Sequence, residues 1–277
     1  MMFEPSRTIR RARLTTIALA TAAFITLSDS ALAQPADRPP LDVPYVPTPP
    51  EVVDRMLEMA AVRQDDFVID LGSGDGRIAI AAAKKGARAL GIDIDPERVL
   101  EAQDNARKAG LQDKVQFKRQ NLFDTKLSDA TVLSMYLLTK INLDLRPRIL
   151  QELKPGTRVV SHSFDMGNWK PDIHTEVGHR QVFMWIVPAR AAGRWQGSIG
   201  AERFGLDLQQ GYQYLKGSAE IDGTTLAVRE GWLHGTDMHL ALSNGRKLRG
   251  RVDGDRINSL PAAPGDKAIR WHLSRTP

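Results

Sequence analysis

The stretch from Val68 to Gly76, VIDLGSGDG, limits the possible fold more than any other part of this 277-residue sequence. Val68 and Ile69 have the apolar character of a buried strand, three glycines follow at every second position, and the residues over 77–85 favour a helix. A strand that runs through a glycine turn into a helix is typical of parallel α/β sheets, where the turn lies at the carboxyl edge. The stretch therefore predicts an α/β fold with a small-ligand site at this turn.

The chain up to about residue 187 alternates between strand and helix patterns. The predicted strands are 67–71, 88–93, 115–119, 130–136 and 157–163, and the predicted helices between them are 77–85, 96–109 and 142–153. Alternation of this kind indicates a parallel sheet with right-handed crossovers and helices on both faces. Residues 172–187 predict a β-hairpin that closes the sheet.

A further helix is predicted just before the first strand. Thr48 is a suitable N-cap, Pro49 suits the first turn, and Glu51 completes a capping box. Apolar residues recur at helical spacing as far as about Ala61. This part of the sequence therefore predicts a helix that packs one face on the sheet.

The composition changes from about Arg190 onward. Short alternating runs are separated by the turn pairs Asp222-Gly223, Asn244-Gly245 and Asp253-Gly254, which are typical of β-hairpins. The last part of the chain therefore predicts a small all-β barrel or sandwich of six to eight strands.

Residues 1–33 predict an export signal. Four arginines precede a short apolar run, and Ala31-Leu32-Ala33 has the pattern of a cleavage site. Residues 34–47 form a proline-rich linker that is expected to be extended. The expected location is the periplasm; the alternative is an inner-membrane protein anchored by an uncleaved N-terminal segment, which would then be its sole contact with a membrane.

Composition excludes several kinds of site. The chain has no cysteine, which excludes thiolate nucleophiles and cysteine-ligated metals, and its six histidines lack a metal-ligand spacing. No metal is expected. The formal net charge of +5 comes without a basic patch interleaved with aromatic residues, so no nucleic-acid partner is expected.

The glycine spacing distinguishes between cofactors. A dinucleotide-binding turn has the pattern G-x-G-x-x-G, but Arg77 stands where its third glycine would be. Asp93 ends the next strand at about the 20-residue spacing of a ribose-binding carboxylate. The pattern Asp-x-Gly-x-Gly-x-Gly instead resembles motif I of the class I S-adenosylmethionine (SAM) methyltransferases, in which Asp70 or Asp75 would help to hold the ammonium group of SAM.

A narrower resemblance covers roughly residues 44–187. Tyr45-Val46-Pro47-Thr48-Pro49 together with DLGSGDGRIAIAAAKKGARALGI resembles the ATP synthase c-subunit lysine methyltransferases and their bacterial relatives. This implies a Rossmann-like methyltransferase domain over 48–188. The all-β domain predicted from the composition then covers 189–277. The cofactor-binding residues would be Asp70, Gly72, Ser73, Gly74, Asp75, Gly76, Asp93 and Asn121. Asn121 stands where the family usually has an Asp that reaches the adenine amino group.

The methyl acceptor is left open. Tyr136, at the end of the fourth strand, and Tyr45 are the candidates for lining the transferred methyl group, and the strand lacks the Asn/Asp-Pro-Pro-Tyr run of methyltransferases that act on nucleobases. His162 and Asp165 are lesser candidates, and Trp169 with Pro171-Asp172 is a candidate rim on the substrate side. The resemblance implies a protein lysine as acceptor. The alternatives are a small-molecule methyltransferase and an exported, non-catalytic SAM- or nucleoside-binding protein.

Overall fold

The computed structural model of the chain describes residues 45–260 and 270–276. The predicted export signal and most of the proline-rich linker lie outside these residues. The described residues form an α/β part and an all-β part, which are joined by residues 187–192.

The α/β part is a seven-stranded mixed sheet with helices. Its helices are α1 (Pro50–Met59), α2 (Arg77–Lys84), α3 (Pro96–Lys108) and α4 (Thr139–Glu152), and its strands are β1 (Phe67–Leu71), β2 (Arg88–Asp93), β3 (Val115–Arg119), β4 (Val132–Met135), β5 (Arg158–His162), β6 (Ile173–Val177) and β7 (Arg180–Ile186). The strand order is β3-β2-β1-β4-β5-β7-β6. Strands β1 to β5 are parallel, and the β6–β7 hairpin joins β5 in the antiparallel direction. The predicted Rossmann-like methyltransferase sheet is thereby confirmed.

Two apolar cores cover the two faces of this sheet. One contains residues of α1, α2 and α3, such as Met56, Ile78 and Ala102. The other contains residues of α4, such as Leu145, together with Leu133 of β4. Because helices cover both faces, the open carboxyl edge of the sheet is where a ligand can enter.

The structure differs from the predicted helix starts at two places. Helix α4 begins at Thr139, three residues before the predicted start, after a Leu138 whose side chain caps nothing. Helix α1 has Pro49 as its N-cap without a side-chain cap bond. The hydroxyl of Thr48 instead bonds the Nδ1 atom of His162, at 3.2 Å. A bond between Thr48 and a residue 114 positions further along the chain therefore takes the place of the predicted capping box.

The all-β part is a closed antiparallel barrel of eight strands. These are β8 (Gly193–Ile199), β9 (Glu202–Gly211), β10 (Tyr214–Ile221), β11 (Thr224–His234), β12 (Asp237–Leu242), β13 (Lys247–Asp253), β14 (Arg256–Ser259) and β15 (Trp271–Arg275). Trp195, Phe204 and Trp271 lie in its interior with aliphatic side chains, and Phe204 meets Trp271 edge to face. The predicted barrel is confirmed, and its interior is a packed core.

The helices within the described ranges are too short or too polar to cross a lipid bilayer.

Candidate active site

A cleft with a volume of ≈ 200 Å³ opens at the carboxyl edge of the sheet. It is bounded by the segments that follow β1, β2, β3 and β4, by Phe164 after β5, and by residues 45–48 before α1. Of the ten predicted site residues, eight line it: Tyr45, Gly72, Ser73, Gly74, Asp75, Asp93, Asn121 and Tyr136. The topology thus brings most of the predicted site together, as expected where parallel strands end side by side.

The glycine turn after β1 is held against the end of β2. The N–H groups of Gly72 and Ser73 donate to the carbonyl of Ile92, at 2.8 and 2.9 Å. Gly74 has φ +53°, and a Cβ atom there would lie 2.4 Å from Cε2 of Tyr45. Glycine is needed at this position because the backbone is left-handed and the tyrosine ring takes the space of a side chain.

Asp93 is fixed by the backbone that surrounds it. Its two carboxylate oxygens accept the N–H of Gly74 at 2.8 Å and the N–H of Asp95 at 3.0 Å. A carboxylate offers about four lone-pair sites, so two backbone bonds leave capacity for two hydroxyl groups. The geometry fits the predicted role of Asp93 on a ribose.

Residues 45–48 form one wall of the cleft, and Asp75 and Arg77 hold this wall in place. Arg77 donates to both carboxylate oxygens of Asp75, and Nη1 of Arg77 donates to the carbonyl of Thr48 at 2.9 Å. Burial alone would raise the pKa of Asp75, but the bonds and charge of Arg77 hold that pKa below its usual value. Asp75 thus remains an anion and holds Arg77, whose bond to Thr48 ties residues 45–48 to the glycine turn.

Tyr45 completes this wall on the cofactor side. Its ring lies against Gly74, and the guanidinium carbon of Arg98 is 4.8 Å from the ring centroid. Such a cation–π contact is worth about 0.5–1 kcal/mol at an exposed site, and Tyr45 is 41% exposed. The structure therefore places Tyr45 beside the glycine turn and Asp75.

Asp70 lies beneath the cleft and does not line it. The residue is 1% exposed, and its Oδ1 accepts the hydroxyl of Ser134 at 2.7 Å. Burial, opposed by the Ser134 bond and assisted by repulsion from Asp93 and Asp75, raises the pKa of Asp70 to about 7. Its other oxygen is buried without a protein partner. Asp70 can thus interact with a cation bound above the turn, either by electrostatic attraction or through a bridging water molecule.

Gly76 and Asn121 have local roles in addition to the predicted ones. Gly76, with φ +82°, is the N-cap of α2, and a Cβ atom there would collide with Phe117 at 2.5 Å. It is set back from the cleft and allows α2 to pack closely. Asn121 lines the cleft, and its Oδ1 accepts the N–H of Phe123 at 2.9 Å. An amide oxygen has a second lone pair, so Asn121 retains one acceptor site.

An aromatic cluster lies where strands β4 and β5 end. The ring of Tyr136 lies 3.8 Å from that of His162 and 6.0 Å from that of Phe164, measured between centroids. We call the residues at these strand ends the acceptor wall; the described members that line the cleft are Tyr136, Leu137, Leu138 and Phe164, all uncharged. His162 supports the ring of Tyr136 from behind. Burial and the charge of Arg180 lower the pKa of His162 to about 4, so its imidazole is neutral at pH 7.

The remaining lesser candidates also lie outside the cleft lining. Asp165 accepts the N–H of Gly167 in a local turn. Trp169, a predicted rim residue, is instead fully buried between Trp185 and Tyr212. Asp172 accepts the N–H of Ile186. These side chains build the region behind the acceptor wall.

Sequence reasoning missed several lining residues. Arg98 sits on α3, and Phe164 lies between the two candidates His162 and Asp165. A lone arginine on a helix and a lone phenylalanine after a strand carry no local signal of a ligand site. Within the described ranges, no group of three or more His, Asp or Glu side chains is placed to hold a metal ion.

Comparisons with known proteins show relatives of the α/β part. Residues 70–173 match the model of the ANTKMT methyltransferase domain. The protein-lysine N-methyltransferase of Saccharolobus islandicus (strain REY15A) is 48% identical over 151 residues, which are 52% of this chain and 94% of that protein. The ATP synthase c-subunit lysine N-methyltransferase of Homo sapiens is 31% identical over 168 residues, which are 60% of this chain and 71% of that protein.

One solved structure has about the same sequence identity to this chain as the Saccharolobus protein. The RNA methyltransferase of Salinibacter ruber, in complex with S-adenosyl-L-homocysteine (SAH), is 51% identical, with a TM-score of 0.52. The match covers 52% of this chain and 95% of that one.

The fold and the cleft, together with these relatives, define a SAM-dependent methyltransferase. The chain belongs to the methyltransferase family that includes the protein-lysine N-methyltransferases just described. When bound, SAM supplies a methyl group activated by the adjacent sulfonium. SAM would be held by the glycine turn, by Asp93 and by the wall of Tyr45, which fit this cofactor. The region matched to the family model ends at residue 173, before the barrel begins.

Proposed function

We propose that this enzyme transfers the methyl group to the side-chain amine of a protein lysine. The observation that carries the proposal is the acceptor wall, which lines the cleft with the aromatic rings of Tyr136 and Phe164 and with two leucines, and whose described members are all uncharged. The relatives from Saccharolobus islandicus and Homo sapiens are named for lysine methylation, which supports the same acceptor class.

The chemistry of an amine acceptor explains why such a wall is useful. A lysine ammonium has a pKa near 10.4 and must lose a proton before its nitrogen can attack. Desolvation in an apolar channel disfavours the charged form and lowers this pKa. The free amine then forms a nitrogen–carbon bond as the carbon–sulfur bond breaks, and the methylated ammonium product can release its proton to water.

The wall contributes by positioning the acceptor. An in-line displacement depends on the alignment of the attacking and leaving atoms, and correct orientation supplies a large share of such rates. Tyr136 is held by stacking on His162, which in turn bonds Thr48. A neutral His162 adds no positive charge behind the wall, so it does not repel an incoming lysine.

The proposal can be tested by locating the label after methyl transfer. The full chain would be incubated with SAM that carries a tritiated methyl group in three separate reactions. One reaction would contain a bacterial protein extract, one total RNA and one a small-molecule extract. We expect label that protease releases and that acid hydrolysis recovers as methyl-lysine. Label in nuclease-sensitive or low-molecular-weight material would overturn the lysine proposal in favour of an RNA or a small-molecule acceptor.

A pair of variants connects the label to the cleft. Tyr136→Ala removes the centre of the acceptor wall, and we expect it to lower methyl transfer about 10- to 100-fold because the acceptor loses its alignment. Tyr214→Ala is the matched control, since Tyr214 is a tyrosine on the barrel that is 51% exposed. Equal activity of the two variants would show that the acceptor wall does not position the acceptor.

A further inference from the structure

One segment connects the acceptor wall to the barrel. Residues 164–170, which we call the wall segment, begin at Phe164 in the lining of the cleft. They end at residues that contact the turn between β9 and β10 of the barrel. The barrel therefore touches the α/β part directly behind the place where the acceptor must be aligned.

Two residues of this barrel turn make the contact. The hydroxyl of Tyr212 donates to Oδ1 of Asn168 at 2.8 Å. The ring of Tyr212 stacks on the buried ring of Trp169, with centroids 5.9 Å apart and planes 12° apart. Nε2 of Gln213 donates to the carbonyl of Lys170 at 2.8 Å. Three consecutive residues of the wall segment are thus held by two consecutive residues of the barrel.

The barrel turn is itself rigidly held. Tyr212 has φ +56°, a conformation that a non-glycine residue adopts only where its surroundings impose it. Nε2 of Gln210 donates to the carbonyls of Tyr212 and Ala189, at 2.7 and 2.8 Å. The carbonyl of Gln213 accepts the N–H of Leu233 on β11. The turn is therefore a fixed feature of the barrel surface.

The α/β part holds the wall segment from the other side. Nη1 of Arg146, on α4, donates to the carbonyl of Met166 and to Oδ1 of Asn168, both at 2.7 Å. Nδ2 of Asn142 donates to the carbonyl of Phe164 at 3.1 Å. Asn168 thus receives bonds from α4 and from the barrel at the same oxygen. The segment is clamped between the two parts of the molecule.

We propose that Tyr212 and Gln213 are positioning residues, through which the barrel fixes the wall segment and so keeps Phe164 in place for methyl transfer. The proposal rests on the contacts of the wall segment and does not depend on the class of the acceptor. It gives the barrel a part in the reaction although the barrel interior is filled. It also predicts a division of roles, because the barrel turn contacts the wall segment, which leads to Phe164, and within the described ranges has no hydrogen bond to the glycine turn or to Asp93.

The test uses the full chain with SAH bound and three variants. Tyr212→Ala removes both the ring stack and the hydroxyl, and Tyr212→Phe removes the hydroxyl alone. Tyr214→Ala changes the exposed tyrosine two residues further on and is the control. The readouts are hydrogen exchange of the wall-segment amides, SAH affinity by calorimetry, and methyl transfer to poly-L-lysine at saturating SAM.

We expect Tyr212→Ala to speed exchange at the Gly167 and Trp169 amides about tenfold or more, because it weakens the clamp locally. SAH affinity should stay within about twofold, while methyl transfer falls about tenfold, since a small misplacement near the chemistry is costly. Tyr212→Phe should keep the ring stack and show a smaller change of the same kind. Tyr214→Ala should match the wild type.

Two results would overturn the proposal. One is unchanged exchange in the wall segment of Tyr212→Ala. The other is faster exchange throughout β1 to β3 with a parallel loss of SAH affinity, which would indicate a general structural role. Tyr212→Phe keeps the test decisive if Tyr212→Ala does not fold. Failure of the wild type to methylate poly-L-lysine would count against the lysine acceptor, while exchange and SAH affinity would still decide the role of Tyr212.

Discussion

The two parts of this chain bury their apolar side chains in different ways: the α/β part has a cleft at the edge of its sheet, and the barrel packs its interior. The open sheet is covered by helices on both faces, and its carboxyl edge ends in loops that enclose a cavity of ≈ 200 Å³. The barrel closes its eight strands around Trp195, Phe204 and Trp271, which fill the interior. An open parallel sheet provides a site at its edge, whereas a small closed barrel offers mainly its surface.

This contrast assigns the chemistry to the sheet. All the described residues that line the cleft belong to the α/β part. The barrel contributes contacts to residues 168–170, which lie behind the acceptor wall. Substitutions in the two parts should therefore affect different steps, and four predictions test whether they do.

The largest effect is expected at the ribose carboxylate. Asp93→Ala should weaken SAM binding by about 1.5–3 kcal/mol, roughly 10- to 150-fold, because it removes charge-assisted hydrogen bonds to the ligand and the support of Gly74. Calorimetric titration measures it. Asp113→Ala, an exposed aspartate after α3, is the matched control. Unchanged SAM affinity in Asp93→Ala would contradict the assignment of Asp93 to the ribose.

A smaller loss is expected at the glycine turn. Gly74→Ala should cost about 1–2 kcal/mol of SAM affinity, because alanine disfavours the left-handed backbone and its Cβ displaces Tyr45. Gly245→Ala in the barrel also has a left-handed backbone, but open space surrounds it. It should leave SAM affinity unchanged. Similar affinities for the two variants would show that the contact between Gly74 and Tyr45 is unimportant.

The third prediction concerns pH. Because burial lowers the pKa of His162 to about 4, the unfolded chain binds a proton there below pH 6.5 while the folded chain does not. The free energy of unfolding should thus fall as pH falls from 6.5 to 4, and between pH 7 and 4.5 His162→Gln should show less of this loss, by about 2 kcal/mol. Urea unfolding at pH 4.5 and 7 measures it. His272→Gln on the barrel surface is the control, and equal pH dependence in all three proteins would contradict the burial argument.

The smallest effect on cofactor binding is expected from removal of the barrel. A chain that ends at Val187 should fold and bind SAH within about threefold of the full chain, a difference below about 0.7 kcal/mol. The reason is that the barrel contributes nothing to the described lining of the cleft. Its methyl transfer should nevertheless fall, because Trp169 loses the cover of Tyr212. Aggregation of the shortened chain would show that the barrel completes the core of the α/β part.

Much of the α/β part can be predicted because its signals are local. Strands β1, β2 and β3 have the predicted bounds, and helix α3 begins at Pro96, as predicted. The turn pairs of the barrel also fall between strands, as at Asp222-Gly223 between β10 and β11. Glycine, proline and hydrophobic periodicity act over a few residues, so the sequence displays them directly.

The parts that could not be predicted depend on contacts between distant residues. Thr48 has the local pattern of a helix cap, but its hydroxyl bonds His162. Asp70 follows the family pattern, yet the sheet buries it below the cleft. Tyr212 carries no local signal, and its importance is evident only from its stacking on Trp169. In each case the tertiary partner, absent from the local sequence, decides the role.

The most direct test of the cofactor site is calorimetric titration of the purified protein with SAM and with SAH. We predict micromolar binding of both ligands at one site per chain, because the glycine turn, Asp93 and the wall of Tyr45 together form a site that fits the cofactor. Absence of binding by a protein shown to be folded would contradict this prediction, since the cleft would then have the shape of a cofactor site without its function.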